Sequence, residues 1–555
     1  MQAQATRPVA RRMPVHEVLA SRMMRAGGSP YTAAAQFDRQ FSGWQPALRS
    51  VDAEILRDHA KARARARDLY RNHPYGKQIV RMATLAQVGK RLRYASKVDY
   101  EFLGIDEEEA DRWGAQFDRV WDAYAHGPGA QIDAARKRNF SAMMRLAVSI
   151  RMIDGEVLCG AEWDERRRWK TCFKLVDIDR LSNPHGKPDS PFLRAGVALD
   201  EHQAPVGYYI RNGHPADISL LDAARANTWS FHMRETAWGR PVMMHSFLAE
   251  RAEQTRGITE FTTVIRSMKM QQEFSEADLA SAIMQAMHAL VIKSSADWAQ
   301  AIQSLGAEID VDENGDPVNP MQAATLDQLA TAAGYYGEAR ITGFDGGRIA
   351  HLVPGDELQF VSPGNKGSSA AEFTKSAVKE FSAGLGGDPI SVSQDYSEVN
   401  YSSARMSVAT NWRVHEVSRG ELVYDLGMPM VQCFMEEAVH SGALALPKGI
   451  KPFEFYDALP ALCKGVFMTW GPPMLDPTKE RAGQLAGWNL GLDTLEELGA
   501  EEGDDWRAKI RQKGREIAFM REYGVPLPGE PVMPPMAAEP DAGKGKKKPE
   551  EKTDG

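Results

Sequence analysis

The chain has 555 residues, of which 43% are hydrophobic and 26% are charged, so it can bury a large core and is too long for one simple domain. Its 67 Lys and Arg residues are outnumbered by 75 Asp and Glu residues, which gives a formal net charge of -8. This balance excludes a protein that grips nucleic acid over its whole surface by neutralising phosphates, so we expect any DNA contact to be local or weak.

The four cysteines are far apart and form no C-x-x-C pair, so we expect buried free thiols and neither a disulfide nor a metal site. No segment approaches the ~20 apolar residues that a membrane span needs. The basic start of the chain has no continuous apolar region of the kind found in signal peptides. These features predict a cytosolic protein that binds no membrane and no cofactor.

In chain order, residues 1–50 are mixed in composition and are interpreted as a docking arm. Residues 51–255 begin with a helical apolar period that Pro74 interrupts and continue with strand patterns such as EVLCGAEWD, RWKTCFKLVDID and PVGYYIRN. This pattern predicts a mixed α/β block. Arg63, Arg65 and Arg67 resemble a nucleic-acid patch, but their spacing spreads them around a helix, which favours a solvated or subunit-contacting face.

A helical apolar pattern then spans 257–292, which is longer than a compact domain usually requires. The next segment, to residue 356, is glycine-rich and its short apolar runs predict short strands. DVDENGDPV within it matches the first half of an EF-hand loop, but Met321 replaces the glutamate at the twelfth position. The pattern also predicts no helix directly after this segment, as an EF-hand would need. An Asn-Gly hairpin turn is therefore favoured over a calcium site.

The stretch DYSEVNYSSAR at 395–405 follows a helix that Gly386 and Gly387 end. It predicts a polar loop before a second helix, which runs from about Ser403 to Val431 under a serine cap at Ser402 or Ser403. Beyond Cys433 the pattern is largely helical through Tyr523, and the Pro, Gly, Lys and Glu content from residue 526 predicts disorder.

Enzymatic motifs are absent from the sequence. It contains no G-x-x-x-x-G-K-[ST], H-E-x-x-H, G-x-S-x-G or G-x-G-x-x-G pattern. The 13 histidines are scattered and mark no catalytic base. We therefore expect a protein without enzymatic activity, although the absence of these motifs does not by itself exclude an enzyme such as a nuclease or a protease.

Several short blocks, kept in order along the chain, resemble the lambda family of bacteriophage portal proteins. They include DIDRLSNP at 177–184, PVGYYI at 205–210, AGLGGDPISVSQDYSEVNYSSAR at 383–405 and WGPPMLDPTKE at 470–480. Each block alone is weak, whereas together they are specific, and NYSSAR is the most distinctive. The resemblance covers roughly residues 30–520.

The resemblance implies a mixed α/β (α+β) portal-type subunit that forms a ring, usually of twelve copies, at one vertex of a viral head. Its expected parts are an N-terminal arm (1–50), an α/β wing (51–255), a stem helix (256–292), a small clip (293–356), a second stem helix (357–387), a tunnel loop with its following helix (388–432), a helical wing or crown region (433–525) and a disordered tail (526–555).

The resemblance also implies a channel for double-stranded DNA. The residues expected to line it are Asp395, Tyr396, Glu398, Asn400, Tyr401 and Ser402. Neutral hydrogen-bonding groups and carboxylates suit such a lining, because strong phosphate contacts would hold the DNA in place. The alternative that these residues only cap and anchor the start of a helix stays open.

A closed ring requires a heterologous interface between subunits. The residues expected at the stem and the subunit interface are Phe261, Ile265, Met268, Phe373, Phe381 and Arg405. The first five lie on apolar stripes that two stem helices would share with neighbouring subunits. Arg405 is expected to pair within its helix or with a neighbour.

The implied partners are further copies of the chain, double-stranded DNA, the terminase large subunit, a major capsid or scaffold protein and a head-completion or neck protein. The implied location is the capsid vertex of a virion, after assembly in the host cytoplasm. An adaptor or connector protein without a DNA-translocating channel is the alternative, but it should lack the order of helix, strand-rich insertion and helix predicted for 257–385.

Overall fold

The structure is a computed structural model. It describes residues 14–15, 43–216, 224–286, 290–294, 309–312, 317–338, 356–360, 367–397, 400–474 and 476–526. Most of the expected arm, clip and tail therefore lies outside the described residues. In the part of the chain that is described, no helix is both long enough and apolar enough to cross a membrane.

The first two helices meet at the proline that the sequence marks as a break. Helix α1 (Val51–Asn72) begins at Ser50, whose side chain accepts a hydrogen bond from Ala53 N, and α2 (Pro74–Gln87) starts at Pro74 itself. His73 lies between the two helices and its side chain accepts a hydrogen bond from Gly76 N. Proline is tolerated at this first position because its missing N–H would have no partner there.

A cluster of aromatic side chains forms the centre of the main core. Helix α4 (Glu107–His126), which follows β1 (Arg93–Ser96) and the short α3 (Tyr100–Leu103), places Trp113, Phe117, Trp121 and Tyr124 on its buried face at helical spacing. Phe434, more than 300 residues later, stacks on Tyr124 with ring centroids 4.1 Å apart. One core thus joins the two halves of the chain.

Two antiparallel sheets follow α5 (Phe140–Asp154), as the strand patterns of the sequence predict. The three-stranded sheet has the order β3-β2-β8, with β2 (Glu156–Trp163), β3 (Thr171–Val176) and β8 (Met243–Phe247). The four-stranded sheet has the order β4-β5-β6-β7, with β4 (Leu193–Arg194), β5 (Val197–Leu199), β6 (Pro205–Arg211) and β7 (Trp229–Met233).

The first expected stem helix is shorter than its apolar pattern suggests. Helix α6 (Ile265–Ala286) has 22 residues, which corresponds to about 33 Å. A 3-10 turn at Glu260–Thr263 precedes it, and β9 (Leu290–Ser294) pairs antiparallel with β10 (Asp356–Phe360). The expectation of one helix over 256–292 is therefore wrong at both ends. A short apolar run rich in β-branched residues fits a strand as well as a helix.

The second expected stem helix and the clip also need correction. Helix α8 (Gly367–Gly384) starts well after residue 357, because residues 357–360 belong to β10. The clip region contains a helix, α7 (Pro320–Glu338), where only short strands were expected. Its first turn is favoured by Asn319, whose side chain accepts a hydrogen bond from Met321 N.

The predicted Asn-Gly turn itself, at 314–315, lies outside the described residues. Val311 and Pro317 on either side of it form an antiparallel bridge, and Val318 N donates to Asp310 O over 2.8 Å. This pairing is the one that a hairpin requires on both sides of its turn.

The last third of the described chain is mostly helical. After α9 (Pro389–Ser393), helix α10 (Tyr401–Leu422) continues through a π-turn at Val423–Gly427 into α11 (Met428–His440). The π-turn precedes Pro429, which lacks the N–H needed to continue the regular bonding pattern. The remaining elements are α12 (Phe455–Leu462), β11 (Gly465–Met468), which pairs with β1, α13 (Pro477–Asn489), α14 (Leu495–Glu501) and α15 (Trp506–Glu522).

Candidate channel loop and its surroundings

The candidate channel loop, defined here as residues 394–400, is anchored on its N-terminal side by Asp388. This side chain caps α9 by accepting hydrogen bonds from Ser391 N at 2.8 Å and Ser391 Oγ at 2.6 Å. Its other oxygen accepts a hydrogen bond from the hydroxyl of Ser407 on α10. One carboxylate therefore ties together the two helices that flank the loop.

The loop begins with a left-handed residue and an internal turn. Gln394 ends α9 with a φ of 56°, and its N–H donates to Ile390 O. The carboxylate of Asp395 accepts hydrogen bonds from Ser397 Oγ at 2.6 Å and Ser397 N at 3.1 Å. These bonds, helped by the nearby charge of Lys375, lower the pKa of Asp395, so this exposed side chain is ionised at neutral pH.

The C-terminal side of the loop is closed by Asn400 and not by a serine. The side chain of Asn400 accepts a hydrogen bond from Ser403 N at 2.9 Å, and its backbone is extended. The prediction of a cap at Ser402 or Ser403 is thus wrong, because both serines already lie in the first turn of α10. Asparagine and serine are equally good caps, so the sequence NYSS did not discriminate between them.

The structure places five of the six expected lining residues on this exposed loop or on the first turn of α10. Tyr396 is 66% exposed and Tyr401 is 43% exposed, and the other three are Asp395, Asn400 and Ser402. Glu398 lies outside the described residues. The ammonium group of Lys479 lies 5.8 Å from the centre of the Tyr401 ring, so its charge, like that of Lys375, partly offsets the loop's acidity.

Three of the residues expected at the subunit interface are buried inside the subunit. Phe261, Met268 and Phe381 are 0% exposed and belong to the main core. Phe381, for example, lies edge-on to the His73 ring, with centroids 5.8 Å apart. The expectation that these three contact a neighbouring subunit is wrong, because the 3-10 turn, α6 and α8 bury them against the body of their own chain.

The interface role of the other three residues stays a prediction. Ile265 is partly buried against the same core. Phe373 is 40% exposed and contacts Phe274, with ring centroids 4.6 Å apart. Arg405 is exposed and has no ion pair among the residues that the structure describes, so its expected pairing within α10 is not observed.

The arginines of α1 have a role that the sequence did not indicate. Arg63 is buried, and its Nε lies 3.4 Å from Asp179. Arg67 donates to both carboxylate oxygens of Asp154, at 2.6 Å and 2.8 Å. Two of the three arginines thus hold α1 to the sheet region, and only Arg65 is exposed. The positions of Arg63 and Arg67 therefore fit neither a nucleic-acid patch nor a subunit-contacting face.

The same cluster contains a group of side chains that could coordinate a cation. Ligand atoms of Asp177, Asp179 and His214 lie within 4.8 Å of one another. Arg67 already donates to Asp177 at 3.4 Å and to Asp179 at 2.5 Å. Because guanidinium groups neutralise these carboxylates, their arrangement is that of an ionic cluster.

All four cysteines are buried free thiols. Burial raises the pKa of Cys433 to about 12 and also raises the pKa of Cys159, Cys172 and Cys463. Such thiols are unreactive at neutral pH, because the thiolate is the nucleophilic form.

Comparison with known proteins supports the resemblance seen in the sequence. The family model described as phage portal protein, lambda family, matches residues 37–419. The portal protein of Escherichia phage N15 is 32% identical over 496 residues, covering 89% of this chain and 90% of that protein. Portal protein B of Escherichia phage lambda is 30% identical over 496 residues with the same coverage.

Among solved structures, a chain from the neck of a native GTA particle, computed with C12 symmetry, has 13% sequence identity to this protein and a TM-score of 0.41. The match covers 79% of this chain and 90% of that chain. On the family model and the two sequence relatives, the chain belongs to the lambda family of phage portal proteins.

Proposed function

We propose that this protein is the subunit of a homo-oligomeric ring, usually of twelve copies, at a unique capsid vertex. Double-stranded DNA enters and leaves the head through this ring. The observation that carries the proposal is the 32% and 30% identity to two phage portal proteins over 89% of the chain. The residues matched by the family model, 37–419, include the wing, the loop, α9 and most of α10.

The candidate channel loop suits a surface past which DNA slides. Tyr396, Tyr401 and Ser402 are exposed and offer neutral hydroxyl groups, while the ionised carboxylate of Asp395 repels phosphate. Each firm Lys or Arg contact to phosphate would add a counterion-release contribution to affinity, and a ring repeats that contribution in every subunit. A lining with few cations therefore favours passage over retention.

Capping and lining are compatible roles within the loop. Asn400 and the Asp388 carboxylate fix the helix ends, whereas the side chains of Tyr396 and Ser402 cap no helix. The channel role accordingly belongs to the exposed residues, and Asn400 holds them in place.

The proposed partners are the terminase large subunit, a major capsid or scaffold protein and a head-completion or neck protein, with assembly in the host cytoplasm before incorporation into the virion. The proposed role is structural and needs no enzymatic activity. A connector protein that lacks a DNA-translocating channel is the rival function.

The oligomeric state tests the proposal directly. Native mass spectrometry of the purified chain, together with negative-stain class averages, should give a ring of about twelve subunits with a central hole wide enough for a DNA duplex. A monomer or dimer that persists across protein concentration and salt would overturn the proposed function.

Replacing Asp395 and Glu398 together with lysine tests the lining role. The variant should still assemble into rings but package DNA more slowly or not at all, because each subunit then presents two cations to the phosphate backbone. The readout is DNA protected from nuclease in a packaging reaction. Glu201→Lys is the matched control, because this carboxylate is 84% exposed and lies in the wing. Normal packaging by the loop variant would eliminate the lining role.

A further inference from the structure

Helix α10 has an exposed apolar stripe that no residue of its own chain covers among those described. Met406 is 70% exposed, Val417 is 65% exposed, and Tyr424, at the start of the adjoining π-turn, is 76% exposed. At 100° per residue these positions fall within about 20° of one another around the helix axis. Three large apolar side chains thus share one exposed face of the helix, with Arg413 on the same face between Met406 and Val417. Such exposure would be a liability on a free monomer.

The opposite side of the same helix borders an apolar groove of about 610 Å³. Its wall includes Val408, Trp412 and His415 of α10, Leu85 of α2, and Trp470 and Pro473 of the WGPP segment. The three α10 positions lie roughly 180° to 240° from Met406 around the helix. Burial lowers the pKa of His415, and the charge of Arg419 lowers it further, so the His415 ring is uncharged at neutral pH.

Charges beside the two surfaces are complementary. Arg413 lies next to the stripe and is exposed, and Glu501 lies at the rim of the groove and is also exposed. The Glu501 carboxylate accepts a hydrogen bond from the Gln484 amide at 3.3 Å. Within the described chain neither residue has an ion pair, so each has capacity for a partner of opposite charge from another molecule.

We propose that the stripe of one subunit packs into the groove of the next copy, with Arg413 against Glu501. The inference rests on the proposed function, since it names the contact that joins neighbours in the ring. Two complementary surfaces on opposite sides of one helix form a heterologous contact, and repetition of such a contact closes a ring when the rotation between neighbours divides a full turn. Tryptophans such as Trp412 and Trp470 are typical of interface centres.

This assignment replaces the stem helices as the expected shared surface. Phe261, Met268 and Phe381 of that expected surface are buried within the subunit, whereas Met406, Val417 and Tyr424 are exposed. It also places the subunit contact on the helix that starts at the candidate channel loop, so neighbouring loops would be held at a fixed separation around the channel.

Two variants, each carrying changes only at exposed positions, test the contact. The stripe variant combines Met406→Asp with Val417→Asp, and the groove variant is Leu85→Asp, at a side chain that is 49% exposed. Each variant alone should lose the ring mass in native mass spectrometry while keeping the wild-type circular dichroism spectrum. Val206→Asp, at a 51% exposed residue of β6, is the control and should keep the ring.

Mixing the two variants provides a readout that misfolding cannot mimic. The groove variant keeps an intact stripe and the stripe variant keeps an intact groove, so an equal mixture should form heterodimers that do not grow into rings. Charge reversal gives a second check: Arg413→Glu should weaken the ring, and adding Glu501→Arg should restore it.

The outcomes separate this inference from the proposed function. If the wild type forms rings and the stripe variant does too, the α10 contact is wrong and the ring stands. If the mixture remains monomeric while both variants are folded, the stripe and the groove are not partners. If the wild type itself forms no ring under any salt or concentration, the proposed function fails.

Discussion

Glu156 shows how much a single residue contributes to the wing. It is fully buried and receives hydrogen bonds from Arg256 Nη2 at 2.6 Å and from Gly257 N at 3.1 Å, while His245 Nε2 lies 3.0 Å away. Burial alone would raise the pKa of Glu156. The charge of Arg256 and the hydrogen bonds from His245 and Arg256 outweigh that effect and hold the pKa well below its usual range.

Glu156→Gln should lower the free energy of unfolding by about 3 to 5 kcal/mol, because it leaves the buried guanidinium of Arg256 without a counter-charge. Urea unfolding followed by circular dichroism at fixed protein concentration measures the change. Glu54→Gln is the control: Glu54 and Arg251 form a pair at 2.7 Å whose side chains are 44% and 52% exposed. Glu54→Gln should lower the free energy of unfolding by about 0 to 1 kcal/mol.

The pH dependence follows from the sign of the Glu156 shift. A carboxyl whose folded-state pKa is lowered stabilises the fold fully above its unfolded pKa of about 4.3 and loses that contribution as the pH falls through the folded pKa. The difference in unfolding free energy between wild type and Glu156→Gln should therefore shrink as the pH falls below about 4. If this difference in unfolding free energy stayed constant down to acid pH, the pKa of Glu156 would not be lowered in the folded state.

At the scale of elements, the channel loop depends on the helix caps that bound it. Asp388 caps α9 and holds Ser407, and Asn400 caps α10. The loop has no buried side chain among its described residues, so these caps fix its two ends. Loss of the Asn400 cap should first cause the first turn of α10 to fray.

Asn400→Ala should destabilise the start of α10 by about 1 kcal/mol, because Ser403 N loses its hydrogen-bond acceptor. Hydrogen exchange measured by mass spectrometry should become faster in peptides that cover residues 400–408. Asn400→Asp should leave exchange unchanged, since aspartate caps a helix equally well. Ser402→Ala is the neighbouring control. Equal exchange in Asn400→Ala and wild type would show that other contacts hold this turn.

At the scale of the whole molecule, the C-terminal helices are attached to the body chiefly through ion pairs. Arg507 lies 2.6 Å from Asp111, Arg93 lies 2.9 Å from Asp504, and Lys97 pairs with Glu496. Neither α13 nor α15 contains a buried residue. Half-exposed ion pairs are individually weak and are screened by salt.

We therefore expect residues 476–526 to exchange hydrogen faster when salt rises from about 0.1 M to about 1 M, as the Debye length falls from ~10 Å to ~3 Å. Peptides from β2 and β3 should not change, because apolar burial holds them. In the Arg507→Gln variant, residues 476–526 should exchange hydrogen faster than in the wild type even at low salt. Arg521→Gln, on the same helix, should not, because Arg521 forms no ion pair in the described chain. Exchange that is insensitive to salt would mean that apolar contacts hold these helices.

The family, the mixed architecture and the position of the polar loop follow from the amino-acid sequence alone. The ordered blocks of the sequence, and NYSSAR above all, are local features that can be recognised without knowledge of the fold. The break at Pro74, the end of α8 near Gly386 and the wing strands also follow from local chemistry, because proline, glycine and alternating apolar residues restrict the backbone directly.

Which apolar and charged side chains face inward follows from the packing of the whole chain and not from the sequence pattern. The stripes holding Phe261 and Phe381 were identified correctly as apolar, but periodicity does not tell whether a neighbouring subunit or the same chain covers them. Likewise Arg63 and Arg67 looked like surface cations until Asp154 and Asp179, about 90 and 110 residues away, were brought beside them. Contacts between distant residues, and the surfaces they leave exposed, depend on how the whole chain packs.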